Sequence, residues 1–131
     1  MRAGRLALAF VLAIAPLAGA AAADWSKAQK ITVVMVEYEF KPATVSFTQG
    51  VAYRLHLENR GKETHEFTAP DFFKAVELRD AKPLNADHTE IVVQPGRKKD
   101  LYFVARQPGD YDLRCSDHDW AGMVGKITIS P

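Results

Sequence analysis

One cysteine in 131 residues is too few for any disulfide within the chain, so stability has to come from a packed core. Charge of either sign is also not in excess: 17 basic against 16 acidic side chains leave a formal charge of +1. That balance gives no case for nucleic-acid binding, which wants a basic stripe. The chain has no internal repeat and no low-complexity stretch. Its one long apolar run, Leu6 to Leu17, lies at the start. Arg2 and Arg5 precede that run, and Ala18-Gly-Ala-Ala-Ala-Ala23 follows it, with an A-x-A pattern just before Asp24. This layout predicts a secretory signal peptide over residues 1–23 and a periplasmic mature protein. The run is too short to cross a bilayer comfortably, which takes about 20 residues. No membrane span is therefore expected after cleavage. Residues 24–131 remain as a single domain, with 15 basic against 16 acidic side chains and a formal charge of −1.

What is present is β-type patterning. Ile31 to Phe40 is β-rich, with Val34, Val36, Tyr38 and Phe40 on one face by alternation. Val45 and Phe47 alternate with Ser46 and Thr48. Val51, Tyr53, Leu55 and Leu57 alternate with polar residues, His56 among them, whose side chain is expected in solvent. Asn59-Arg-Gly-Lys62, Pro95-Gly96 and Gln107-Pro-Gly-Asp110 are turn signals. His65–Thr68, Glu90–Gln94, Asp100–Ala105, Tyr111–Cys115 and Val124–Ile129 read as further strands. The 69–88 segment is less regular; Phe72, Phe73, Val76 and Leu78 suggest a short helix lying on the domain. Many short strands with turn punctuation predict an all-β sandwich or barrel.

Chemistry is concentrated in Cys115-Ser-Asp-His118-Asp-Trp-Ala-Gly-Met123, which joins a thiol, an imidazole and a thioether in one short loop. Soft sulfur with imidazole suits copper, and two histidines with a cysteine and a weak axial methionine describe an electron-transfer copper site. The second histidine has to come from elsewhere. His65, at a strand end in Glu63-Thr-His-Glu-Phe67, competes with His56 and His88 for that place; His88, in the irregular segment, is better read as a surface residue. An exported lone cysteine must dimerise, stay reactive or be occupied. A buried inert thiol is the plain alternative, and the neighbours His118 and Met123 weigh against it. Zinc would prefer more Cys or His and would not recruit Met. A Cys–His hydrolase would need an orienting third group and an oxyanion hole, and neither is evident. Met35, Phe72 and Phe73 read as core, and Trp120 as packed beside the loop in preference to forming part of a docking surface.

The pattern Cys-x2-His-x4-Met after Tyr111-Asp-Leu-Arg-Cys115, with His65 upstream, resembles the cupredoxin family of small blue-copper proteins. The loop is similar to that of plastocyanin and pseudoazurin, down to Gly122-Met123. Phe40-Lys-Pro-x-x-Val45, the strand from Val51 and His65-Glu-Phe67 resemble bacterial periplasmic cupredoxins, some of which are associated with copper tolerance. The resemblance implies a Greek-key β-sandwich or barrel. It implies one type 1 copper per chain, held by His65, Cys115, His118 and Met123. It also implies a monomeric electron carrier rather than an enzyme, meeting a redox partner such as a cytochrome or copper enzyme transiently. The alternative is a copper-binding protein for tolerance, buffering or delivery. His118 would be the electron port, with Trp120 and Ala121 beside it and Asp117 and Asp119 as an acidic rim. Two departures stand out: Glu66 where the family commonly has Asn, and Asp117 where it commonly has Pro. Both positions border the ligands and bear on their orientation and potential.

Overall fold

In β4 (Ala52–Asn59) the alternation read from the sequence becomes an inward face: Tyr53, Leu55 and Leu57 are buried. The computed structural model describes residues 22–131, so nearly all of the expected signal peptide lies outside the described residues. The remaining elements are β1 (Gln29–Val36), β2 (Glu39–Lys41), β3 (Thr44–Thr48), β5 (His65–Thr68), α1 (Pro70–Lys74), β6 (Val76–Leu78), β7 (Glu90–Val93), β8 (Lys98–Ala105), β9 (Gly109–Arg114) and β10 (Val124–Ser130). They form two five-stranded sheets in the orders β2-β1-β4-β8-β6 and β3-β10-β9-β5-β7. Pairs β1·β4 and β3·β10 are parallel and the others antiparallel. The described residues form a Greek-key β-sandwich with one short α-helix. Among the described residues no helix is long and apolar enough to cross a membrane.

The core between the sheets is dominated by aromatic rings. Phe47 stacks on Phe72 at 5.5 Å and meets Phe103 edge-on at 5.1 Å. Each such side chain contributes about 1.5–3 kcal/mol by leaving water, with a further gain from ring geometry. Tyr53 packs in the same cluster, and its hydroxyl accepts from the Thr48 N–H at 2.8 Å. Met35, Phe72 and Phe73 are buried, as the sequence implies.

Three sequence expectations need correction. The Ile31–Phe40 stretch is a hairpin of β1 and β2, and its inward residues are Val33, Met35 and Phe40 rather than Val34 and Val36. Both alternating sets in Val33-Val-Met-Val36 are apolar, so the pattern could not fix the face. In the 69–88 segment the helix stops at Lys74. Val76 and Leu78 belong to β6, which pairs with β8 at the sheet edge. His56 is buried, its two ring nitrogens 2.7 Å from Asp100 Oδ1 and 3.0 Å from Glu58 Oε1. Acidic partners let a polar side chain sit there, and Asp100, on the neighbouring β8, is invisible in a one-strand pattern.

Burial alone would raise the Asp100 carboxyl, but hydrogen bonds from Arg54 and His56 outweigh it and hold the group below its ordinary value. A lowered folded-state value gives stability that is present above the unfolded value, about pH 4, and lost as pH falls through the folded one. Asp100→Asn is therefore expected to flatten the acid limb of a stability-against-pH curve from urea melts. An acid limb identical to that of the parent would refute this.

Candidate metal centre

His65 opens β5, where it pairs with Val93 of β7 and is wholly buried. Cys115 follows the last residue of β9, and its amide donates to the Met123 carbonyl at 3.0 Å, one residue before β10. That bond closes the loop. Inside it, the Ala121 N–H and the Met123 N–H reach the His118 carbonyl, and the His118 N–H reaches the Cys115 carbonyl. A 3-10 turn over Asp119–Ala121 ends at Gly122, whose φ of 84° is the left-handed conformation that glycine adopts without strain.

The loop brings the expected groups together. Cys115 Sγ lies 3.3 Å from His118 Nδ1 and 3.9 Å from His65 Nδ1, and the three donor atoms all fall within 4.8 Å of one another. Two donors about 2.0–2.3 Å from a shared ion, at trigonal to tetrahedral angles, stand about 3.5–3.8 Å apart. The cluster therefore fits a single small metal ion. Met123 is fully buried at the loop's end, joined to the same ring of backbone bonds. His56 is remote from this centre in its own network, and His88 is exposed.

Carboxylates stand behind both imidazoles. His65 Nε2 is 3.1 Å from Glu37 Oε1, and His118 Nε2 is 2.8 Å from Glu63 Oε2. A carboxylate accepting from Nε2–H leaves Nδ1 as the lone-pair donor, and Nδ1 is the atom facing the sulfur. Glu37 also accepts from the Lys62 and Glu63 amides at 2.6 and 2.8 Å. The Glu63 amide and then the other donors hold its carboxyl below the usual range, against the raising effect of burial. Gly61 packs on this carboxylate so closely that a Cβ there would collide with it. Tyr38 lies over His118, ring centres 4.9 Å apart, and donates to Glu63 Oε1 at 3.3 Å.

The Cys115 thiol is pushed up to about 11, first by burial and further by the Glu66 carboxyl, against the lowering effect of the Glu66 amide. Its Sγ–H donates to Glu66 Oε2 at 3.0 Å, and the Glu66 N–H points back to Sγ at 3.4 Å. Without a metal the sulfur keeps its proton; a bound metal must displace it.

The sequence did not single out Glu37, Glu63 or Tyr38. Glu63 could have been noticed beside His65, whereas Glu37 lies 28 residues away and nothing in its neighbourhood points to it. Trp120 corrects a reading: it is 78% exposed, its Nε1–H donating to the Asp117 carbonyl at 2.9 Å, with Val124 also exposed. The hydrogen bond to the loop's own backbone turns the ring outward instead of under the loop.

The Cupredoxin-like domain model matches residues 6–129, and the chain belongs to that family. The copper-resistant cuproprotein CopI of Pseudomonas aeruginosa is 24% identical over 79% of this chain and 77% of its own length. Plastocyanin of Nostoc punctiforme is 42% identical over 43 residues, covering 32% of this chain and 31% of that protein. Among solved structures, dithionite-reduced auracyanin from Roseiflexus castenholzii matches with a TM-score of 0.60 and 21% identity, over 79% of this chain and 98% of that one. The structural match speaks to the fold alone.

Removing the carboxylate in Glu37→Ala strips an acceptor from His65 and from two loop amides. Copper affinity is expected to fall by about 10–100-fold, as for other residues that orient a metal ligand. Gly61→Ala should act in the same direction. Competition titration against a chelator measures both, and unchanged affinity in Glu37→Ala would show that His65 needs no such support.

Proposed function

We propose that the protein is an exported type 1 copper protein that carries single electrons between redox partners. One copper would be held by His65, Cys115 and His118, with Met123 as the axial thioether. The observation that carries this reading is the convergence of three donor atoms within 4.8 Å, with both histidines turned donor-inward by carboxylates. Copper there would supply a one-electron couple. The chain's own part is to hold the donors still. His65 at the start of β5 and Cys115 just past the end of β9 are fully buried and His118 is locked by backbone bonds, so little has to move when the charge of the centre changes.

His118 is the half-buried member of the set and the natural path for an electron. Around it, Trp120 and Val124 offer apolar surface, while Asp117, Asp119 and Glu63 supply negative charge. This suits a transient encounter with a partner that is basic around its own redox centre. We place the protein in the periplasm on the signal-like sequence at residues 1–23, and we assign it no enzymatic activity.

A second reading, a protein for copper tolerance or buffering, draws on a specific feature. The outward nitrogen of His118 is capped by Glu63, which stands where a docked partner would need direct contact. The match to a copper-resistant cuproprotein over most of both chains agrees with it.

Adding Cu(II) to the purified mature protein is expected to give a strong thiolate-to-copper absorption band that disappears in Cys115→Ser. No band in the parent protein would defeat both copper readings. Rapid reversible reduction by a cytochrome without copper-sensitive growth of a deletion strain supports the carrier; the reverse result supports the tolerance role.

A further inference from the structure

We infer that Tyr38 and Trp120 form the electron path of this centre: an electron crosses two packed rings to the face of His118 instead of meeting the outer nitrogen of that histidine directly. The inference rests on the carrier reading proposed above and names the residues through which it works. Of the four expected ligands, His65, Cys115 and Met123 are fully buried, which leaves His118 nearest the surface. Its side chain is only 13% exposed, and its outer nitrogen Nε2 is covered by the Glu63 carboxylate at 2.8 Å. A partner approaching along that edge would meet a charged acid first. The ring face has a different neighbour. Tyr38, in the turn between β1 and β2, lies over it with ring centres 4.9 Å apart and planes tilted by 40°. Trp120 continues the series: its ring centre is 6.1 Å from that of Tyr38, and it is 78% exposed. Both separations fall within the roughly 4.5–7 Å over which aromatic rings interact.

The order of the rings is held by contacts on each of them. The Tyr38 hydroxyl donates to Glu63 Oε1 at 3.3 Å, and the other oxygen of that carboxylate meets His118 Nε2, so one acid pins both rings. Tyr38 is also packed against the core, which restrains its ring over the histidine. The Trp120 Nε1–H is tied to the Asp117 carbonyl at 2.9 Å, which fixes the indole at the outer end.

Electronic coupling falls steeply across empty space and less steeply through packed or bonded atoms. The covalent route from Trp120 to His118 runs along the backbone of Asp119 and down both side chains. The stacked rings offer a shorter way through π systems. The transfer is of one electron from a reduced haem protein: its iron is oxidised by one electron and the copper is reduced by one. Tyr38 and Trp120 end unchanged. No bond forms or breaks, and no proton leaves the tyrosine hydroxyl.

The test is stopped-flow reduction of the Cu(II)-loaded protein by reduced cytochrome c, taken to saturating cytochrome so that the rate within the complex is read apart from affinity. Tyr38→Leu keeps apolar bulk and removes the ring; its limiting rate is expected to fall about tenfold beyond any change due to a shifted midpoint potential. Tyr38→Phe keeps the ring and is expected to match the parent. Trp120→Leu is also expected to be slower, and as a surface change it decides the matter should Tyr38→Leu fail to fold. Calorimetric binding of the metal-free proteins to the same cytochrome is expected to be as tight in Tyr38→Leu as in the parent. Equal limiting rates in the parent and both leucine variants would overturn the inference and leave the carrier reading standing. A Tyr38→Phe as slow as Tyr38→Leu would overturn it too, because the hydroxyl and not the ring would then matter. So would a loss of binding as large as the loss of rate, which would assign the rings to docking. A parent protein that shows the thiolate-to-copper band and is not reduced by the cytochrome would instead bring down the carrier reading.

Discussion

One register contact sets the whole centre: Thr68 of β5 stands beside Arg114 of β9, and Arg114 in turn stands beside Val124 of β10. The donors sit just past or just before these three aligned residues. Cys115 is one step beyond Arg114, Met123 one step before Val124, and His65 three steps before Thr68. A slip of one residue in β5 would send each of its side chains to the opposite face and put His65 out of reach of the sulfur. The pairing of β5 with β7 on its other side makes that slip costly, since His65↔Val93 through Thr68↔Glu90 would all be lost. The site is therefore fixed by ladders formed well before any metal arrives.

Around that frame three of the four donors have an acid beside them: Glu37 for His65, Glu63 for His118, Glu66 for Cys115. These acids do different work. Glu37 and Glu63 settle which ring nitrogen faces inward, and Glu37 also ties down the 61–63 loop through two amides. Glu66 faces the sulfur itself, and its carboxyl accepts the thiol hydrogen. The cost appears in the metal-free protein, where burial and the adjacent acid keep the Cys115 proton on.

Much of this was legible in the chain. The alternation in β3 and β4 reports its buried face because mostly polar residues mark the other one, and the Cys–His–Met loop names its chemistry by residue type and spacing. β1 was not legible in the same way, because neighbouring apolar residues occupy both faces. His56 misled because its partners, Asp100 and Glu58, lie partly on another strand. β6 was missed because three residues give an alternation too little room to appear. Glu37 is the sharpest case: a turn residue between two strands that folding alone delivers to His65.

Placement within the sheet bears on how the centre can work. In the order β3-β10-β9-β5-β7, the strand that carries His65 and the strands that flank Cys115 and Met123 are all interior, each paired on both sides. Interior strands lack the free edge along which a sheet frays or admits another chain. His65, Cys115 and Met123 are consequently anchored at interior strands, while His118, with Trp120, Asp117 and Asp119, belongs to the loop that links two of those strands. Anchorage below and exposure above would separate the two demands on the electron carrier proposed above. The metal environment has to stay nearly constant between charge states, and the contact surface has to meet and release a partner. In this fold a single nine-residue loop serves both, because its ends belong to the sheet and its middle to the surface.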